Sequence, residues 1–257
     1  MEQARRKPAF LNFDGSYLQQ KHLLAEPHLW LDFSDLVQSG MFCTPETGRI
    51  IKQRLEQNED SDIHFIGSGN YHYVTLFFLA KIKHPFSLVL FDNHSDANDT
   101  GHCLSCGSWV AEAISRLKEL KQVVLIGADP QCLGLIHPQL LNKLIFLTEE
   151  SLQKTPLPEI VAGIPTGLIY ISIDKDVLDP GYAVTQWDQG RMSLPELLTR
   201  LQILLRLKKV TGIDVCGEYP ASPVELFQSS VQQAIRKNEY ANEQILSLVV
   251  RNVGNRQ

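Results

Sequence analysis

The sequence predicts an α/β fold in which a parallel sheet of about eight strands is covered by helices on both faces. Two observations carry that expectation. Short apolar, β-branched runs alternate with helical patterns almost from end to end, and Pro and Gly residues fall mostly between the elements. Strands are expected over residues 9–13 (AFLNF), 28–33 (HLWLDF) and 62–67 (DIHFIG), and then over 86–92, 122–127, 144–148, 168–174 and 209–215. The runs at 87–91 (SLVLF) and 168–173 (LIYISI) are apolar apart from one serine each, the mark of strands buried on both faces. Helices are expected over 45–57, 74–83, 109–120, 194–207 and 223–250. The fourth has a defined start, with Ser193 before it, Pro195 in the first turn and Glu196 three residues after the serine. With no repeat, Gly/Ser linker or low-complexity tract, residues 1–257 read as a single domain.

Composition narrows the function. Lys and Arg number 24 against 29 Asp and Glu, a net charge of −5, and the basic residues are dispersed, which argues against nucleic acid as a partner. The opening MEQARRKPAF is basic but has no long apolar segment behind it, and the most apolar stretch, residues 74–82, is too short to span a bilayer. The expectation is a cytoplasmic protein without membrane contact. Five cysteines, an odd number in a chain large enough to need no staples, point to free thiols in a reducing compartment. Cys103 and Cys106 form a C-x-x-C beside His102, yet the chain has no second such pair to complete a structural zinc site.

The chemistry lies where two apolar runs end. After residue 91 the sequence turns abruptly to Asp92, His94 and Asp96, and after residue 173 to Asp174 and Asp176. Alternate side chains of an extended segment share a face, so each run brings its acids together at the carboxyl end of a strand, where open α/β sheets bind ligands. Four carboxylates and an imidazole at one sheet edge repel one another strongly unless a cation sits among them. Oxygen-rich ligation with imidazole suits Mn2+ better than a structural zinc site.

These residues resemble the ureohydrolases, the family of arginase, agmatinase and formiminoglutamase. Residues 92–96 (DNHSD) are similar to the family's D-x-H-x-D, residues 172–180 (SIDKDVLDP) to S-x-D-x-D-x-x-D-P, and residues 69–75 (GNYHYVT) to G-G-D-H-S-[IV]-T. The likeness spans roughly residues 63–220. It implies a three-layer α/β/α sandwich with a mainly parallel eight-stranded sheet. It also implies two Mn2+ ions per chain, hydrolysis of a C–N bond in a guanidino or amidine compound by hydroxide bridging them, and a homo-oligomer, trimer or hexamer. His72, Asp92, Asp96 and Asp174 would hold one ion and Asp92, His94, Asp174 and Asp176 the other. Asp96 would in addition handle the proton of the hydroxide.

The departures from the family concern substrate. Where the family has the glutamate of D-x-x-E that pairs with a guanidinium, this chain has Gly217, with Glu218 one residue late; a bulge at Gly217 would be needed to turn Glu218 into the pocket. Where a His-Gly pair is common the chain has Cys106-Gly107, which leaves His102 as the candidate proton carrier. Asn98 matches an asparagine that holds the substrate's carboxylate end, and Asp188 and Arg191 occupy the loop after Pro180 as further substrate-binding candidates. Lys175, between two acids, is expected to point away from the metals. The substrate is therefore expected to differ from arginine. Two other readings share these residues: an amide hydrolase of the deacetylase kind with one zinc, and a non-catalytic metal-binding homologue.

Overall fold

The computed structural model describes residues 7–58, 61–98 and 103–253. Its strands are β1 (Ala9–Asn12), β2 (Leu29–Asp32), β3 (Phe42–Cys43), β4 (Ile63–Phe65), β5 (Phe86–Phe91), β6 (Leu104–Ser105), β7 (Leu120–Ile126), β8 (Leu144–Leu147), β9 (Leu168–Asp174) and β10 (Lys209–Cys216). The α-helices are α1 (Pro45–Asn58), α2 (Thr75–Leu79), α3 (Trp109–Arg116), α4 (Glu149–Lys154), α5 (Leu157–Gly163), α6 (Leu194–Leu207) and α7 (Ser229–Val253). All eight expected strands join one sheet in the order β2-β1-β4-β10-β9-β5-β7-β8, and every neighbouring pair is parallel.

Alternation along the strands builds two cores. Val89, Phe91, Ile169, Ile171, Ile173, Ile213 and Val215 face a layer made by α5, α6 and α7, with Val161, Leu197, Leu201, Ile245 and Val249 packed on them. Leu88, Leu90, Tyr170 and Cys216 face the opposite layer, where α1, α2 and α3 contribute Ile51, Leu55, Phe78, Leu79, Trp109 and Val110. Burial on both faces is the reason the central strands are mostly apolar, with Ser87, Ser172 and Asp214 as buried exceptions. The capping box at Ser193 and Glu196 forms and sets the start of α6.

The strand order makes a crevice. From β5 the chain moves outward to β7 and β8, then returns to β9, which leads the other way to β10. Connections leaving β5 and β9 thus diverge, and the space between their carboxyl ends is a topological switch point. Phe91 pairs with Ile173, which sets Asp92 beside Asp174, and Cys216 pairs with Asp174 from the other side.

Some elements differ from the sequence expectation. The helix expected over 74–83 is a 3-10 turn at Gly69–Val74 followed by the short α2, and the one expected over 109–120 stops at Arg116, because Leu117 is already extended toward β7. Residues 223–250 begin with a 3-10 turn at Glu225–Phe227 before α7. The two-residue ribbon β3–β6 and the single-turn to two-turn helices α4 and α5 are too short to show a periodicity. Among the described residues no helix is long and apolar enough to cross a membrane.

Candidate metal centre

At the switch point the ligand-type side chains converge. His72, on the 3-10 turn over the sheet edge, holds Nδ1 at 2.9 Å from Asp96 Oδ2, 3.3 Å from Asp92 Oδ2 and 3.6 Å from Asp174 Oδ2. On the other side of Asp92, His94 Nδ1 lies 2.8 Å from Asp176 Oδ2 and 3.6 Å from Asp92 Oδ1. Three groups place their donor atoms within 4.8 Å of one another and could hold a metal ion: His72, Asp92 and Asp96; Asp92, His94 and Asp176; and His72, Asp174 and Cys216. His72 Nδ1 and Asp92 Oδ2 are buried and make no hydrogen bond despite these close neighbours. Polar atoms this deep rarely lack a partner, so the donor set fits a cation seated among them.

Backbone geometry holds the arrangement. Asp96 adopts φ +48°, a left-handed conformation that aspartate tolerates and that turns its carboxylate back toward His72. Backbone N–H groups of Asn93, His94 and Asp176 donate to Asp176 Oδ1, Asp92 Oδ1 and Asp174 Oδ1 at 2.9, 2.6 and 2.9 Å, so Asp92 and Asp174 are oriented by their own turns and Asp176 by the turn after β5. Gly69 is required here, since a Cβ would lie 2.9 Å from Asp174 Oδ2 and 3.0 Å from the Trp187 ring.

A relay fixes His72. Ser172 Oγ donates to Asp214 Oδ1 at 2.5 Å, and the His72 Nε2 is 2.9 Å from the same hydroxyl. The hydroxyl has one proton and gives it to Asp214, so Nε2 must carry the hydrogen that Ser172 accepts. In neutral His72 this leaves the Nδ1 lone pair free to ligate, and outer partners of this kind orient metal-binding histidines.

Electrostatics point the same way. Burial, then the charges of Asp176 and Asp92, push Asp174 up to about 7, and burial with Asp92 raises Asp176 to about 6. Burial opposes charge on His94, but Asp176 and Asp92 outweigh it and carry the imidazole up to about 12. Burial likewise opposes charge on His72, yet Cys216, Asp92 and Asp96 raise it well above the ordinary value. The cluster without metal therefore holds protons that a cation must displace. Because the protons on these raised groups must leave before a cation binds, ligation becomes easier as pH rises, so metal affinity is expected to increase with pH and uptake to release protons. Isothermal titration in buffers of different ionisation enthalpy checks this; uptake without proton release would contradict it.

A cleft of about 230 Å3 opens onto these groups. Besides them it is lined by Met41, Phe42, Gly69, Asn98, Ser105, Cys106, Gly107 and Trp187. Three comparisons with known proteins bear on what it serves. The sequence model described as the arginase family matches residues 21–226. The chain belongs to the arginase family. A protein of Thermotoga maritima described as uncharacterised is 35% identical over 244 residues, covering 92% of this chain and 87% of its own. The fold is similar to that of formimidoylglutamase from Bacillus subtilis, with a TM-score of 0.71 at 15% identity over 99% of this chain and 89% of the other. Agmatine ureohydrolase of Thermoplasma volcanium gives 0.66 at 13% identity, over 98% and 91%.

Within this arginase-family fold the residues expected at the metals, His72, Asp92, His94, Asp96, Asp174 and Asp176, lie together. The substrate candidates divide. Asn98 lines the cleft and its Oδ1 is buried without a hydrogen bond. Glu218 does not line it: the side chain is 1% exposed and engaged by Lys175, Gln20 and Asn242. Gly217 has φ +84°, and a Cβ there would meet Asp174 Oδ1 at 2.4 Å and Lys175 N at 2.6 Å, so no side chain can project from it. Asp188 and Arg191 are exposed and outside the cleft's lining, and His102 lies outside the described residues. Lys175 points away from the carboxylates that flank it, as alternation predicts, and is fully buried.

Four residues near the cluster carried no assigned role in the sequence. Ser172 and Asp214 are in phase with Asp174 and Cys216 on their strands, a signal available from period-two counting. Cys216 shares the phase of Asp214, whereas Trp109 had no such signal for its contacts. Trp109 donates its indole N–H to Asp96 Oδ2 at 2.7 Å, with its ring 4.8 Å from that of His72. Trp109→Phe is expected to leave metal content unchanged while kcat falls roughly 10–100-fold, the loss of a hydrogen bond to a charged group worth about 1.5–3 kcal/mol. Steady-state kinetics beside metal analysis tests this, and an unchanged kcat removes Trp109 from the site.

Proposed function

We propose that the chain is a hydrolase of a C–N bond in a guanidino or related amidine compound, working with two Mn2+ ions per chain. The observation that carries the reading is the pair of donor groups sharing Asp92, with His72 Nδ1 and Asp92 Oδ2 buried and unpartnered between them. His72, Asp92, Asp96 and Asp174 would hold one ion, and Asp92, His94, Asp174 and Asp176 the other. When bound, such a pair supplies Lewis acidity and makes a water-derived nucleophile available near neutral pH.

The chain's own residues supply the rest. Asp96, locked by Trp109 and its left-handed turn, is placed to accept the proton given up by the attacking water. Asn98 lines the cleft and would hold the substrate's carboxylate end through its side-chain N–H, as the family resemblance implies. Met41, Phe42 and Trp187 form apolar walls that exclude water around the reacting carbon. Apart from the proposed metal ligands, no charged side chain lines the cleft among the described residues. With Gly217 in place of a guanidinium-pairing glutamate, this supports a substrate other than arginine. A part for His102 in proton transfer, and assembly as a homo-oligomer, rest on the family resemblance.

The test is release of urea or ammonia from arginine, agmatine, guanidinobutyrate and formiminoglutamate by protein of measured metal content. Turnover of a substrate other than arginine, dependent on Mn2+ and reduced about 10²–10⁴-fold in Asp96→Asn, is expected. Purified protein with no stoichiometric metal and no response to added Mn2+ would overturn the reading.

A further inference from the structure

We propose that Cys216 is a thiolate ligand of the inner cation, completing a His72–Asp174–Cys216 donor set that gives this site a preference for zinc, cobalt or iron over manganese. The inference rests on the metal-centre reading above, adds Cys216 to the donors of its deeper ion, and revises the metal at that position alone, leaving Mn2+ at the other.

Position makes the case first. Cys216 ends β10 and pairs in register with Asp174, the last residue of β9, so both side chains emerge at the same level of the sheet edge. Counting by twos from Asp214, whose carboxylate accepts from the Ser172 hydroxyl that holds His72, puts Cys216 on the face that carries His72. Its Sγ lies 3.1 Å from Asp174 Oδ2, and the donor atoms of His72, Asp174 and Cys216 are mutually within 4.8 Å. His72 Nδ1, 1% exposed, has no hydrogen-bond partner and lies 3.6 Å from that same Asp174 oxygen. A nitrogen with a free lone pair, a carboxylate oxygen and a sulfur thus face one point.

The alternative is a buried thiol acting as a small apolar filler. Cys43 shows that behaviour in the same molecule: it is packed among apolar side chains, and its Sγ meets the neighbouring Thr44 carbonyl, at 3.6 Å, and the Tyr73 side chain rather than a carboxylate or imidazole. Cys216 has a carboxylate and an imidazole as its neighbours instead. On metal binding the S–H proton passes to solvent and the sulfur–metal bond takes its place. Thiolate is a soft donor, and such ligands favour zinc and its neighbours over manganese. The partner group, Asp92, His94 and Asp176, offers only oxygen and nitrogen, so the two positions differ in metal preference.

The experiment strips the full-length protein of metal and reloads it with Co2+, with cobalt per chain measured by mass spectrometry. Wild-type protein and Cys43→Ser are expected to show an intense near-ultraviolet thiolate-to-cobalt band that Cys216→Ser lacks, and Cys216→Ser is expected to weaken Zn2+ binding at least tenfold more than Mn2+ binding. X-ray absorption of the zinc-loaded wild type is expected to show a sulfur shell at about 2.3 Å, which needs no variant to fold. Bound cobalt with no such band, or zinc with only oxygen and nitrogen neighbours, overturns the thiolate assignment and leaves the metal-centre reading standing. Failure to bind either metal overturns both.

Discussion

Asp92→Asn is expected to empty both metal positions in one substitution and to abolish hydrolysis. Asp92 is the residue common to the His72–Asp92–Asp96 and Asp92–His94–Asp176 groups, with Oδ2 turned to one and Oδ1 to the other. Asparagine keeps the shape and can still accept the His94 backbone N–H at Oδ1, now 2.6 Å away, so the turn should fold. It removes one full charge from a site where charge is the attraction, and replaces the unpartnered Oδ2 by a group that cannot ligate a hard cation well. Metal affinity should fall well beyond the roughly 10–100-fold that losing an outer-shell partner costs. The variant without metal should, in contrast, melt higher than the wild type without metal, because one of four crowded carboxylates is gone. Metal analysis and calorimetry of both proteins, with and without Mn2+, test the two halves; stoichiometric metal in the variant would sink the shared-carboxylate arrangement.

Lys175→Met is expected to cost about 3–5 kcal/mol of stability, the usual effect of leaving one member of a buried ion pair alone. Lys175 is fully buried behind the metal site, bonded to Glu218 Oε1 and, at 3.0 Å, to Asn242 Oδ1. Burial disfavours its charge and lowers its pKa, and Glu218 opposes that shift. Without the ammonium, Glu218 keeps only the amide donors of Gln20 and Asn242, at 2.7 and 2.6 Å, for a full negative charge. The double variant Lys175→Met/Glu218→Gln removes both charges but leaves one acceptor oxygen for the two amide donors of Gln20 and Asn242, so part of the loss should return. Urea unfolding with an unchanged m-value measures the cycle. If Glu218 served substrate rather than Lys175, the single lysine variant would lose little stability and the double variant would recover none.

That pair shows where reading the sequence stops. A glutamate one residue beyond the family's position invites a bulge that restores its aim. Only the folded backbone reveals that Gly217 turns at φ +84° and that Lys175, 43 residues away in sequence, claims the carboxylate. The lysine's direction was available from alternation; its partner was not, because contacts between distant segments depend on strand order. Trp109 is a similar case. Its place at the start of α3 is visible in sequence, but its hydrogen bond to Asp96 depends on how that helix lies across the sheet edge.

The sequence by itself determined the strands, their burial on both faces and the convergence of acids at their ends, because periodicity and abrupt changes of polarity are local properties. It placed Asp92, His94 and Asp96 at the end of one strand and Asp174 and Asp176 at the end of another. The tertiary structure alone decided that those two strands are neighbours at the point where the connections diverge, and that His72, Ser172, Asp214 and Cys216 gather around the same spot. The physical reason is that adjacency in a parallel sheet is set by crossover connections and packing over the whole chain, which no window of sequence contains.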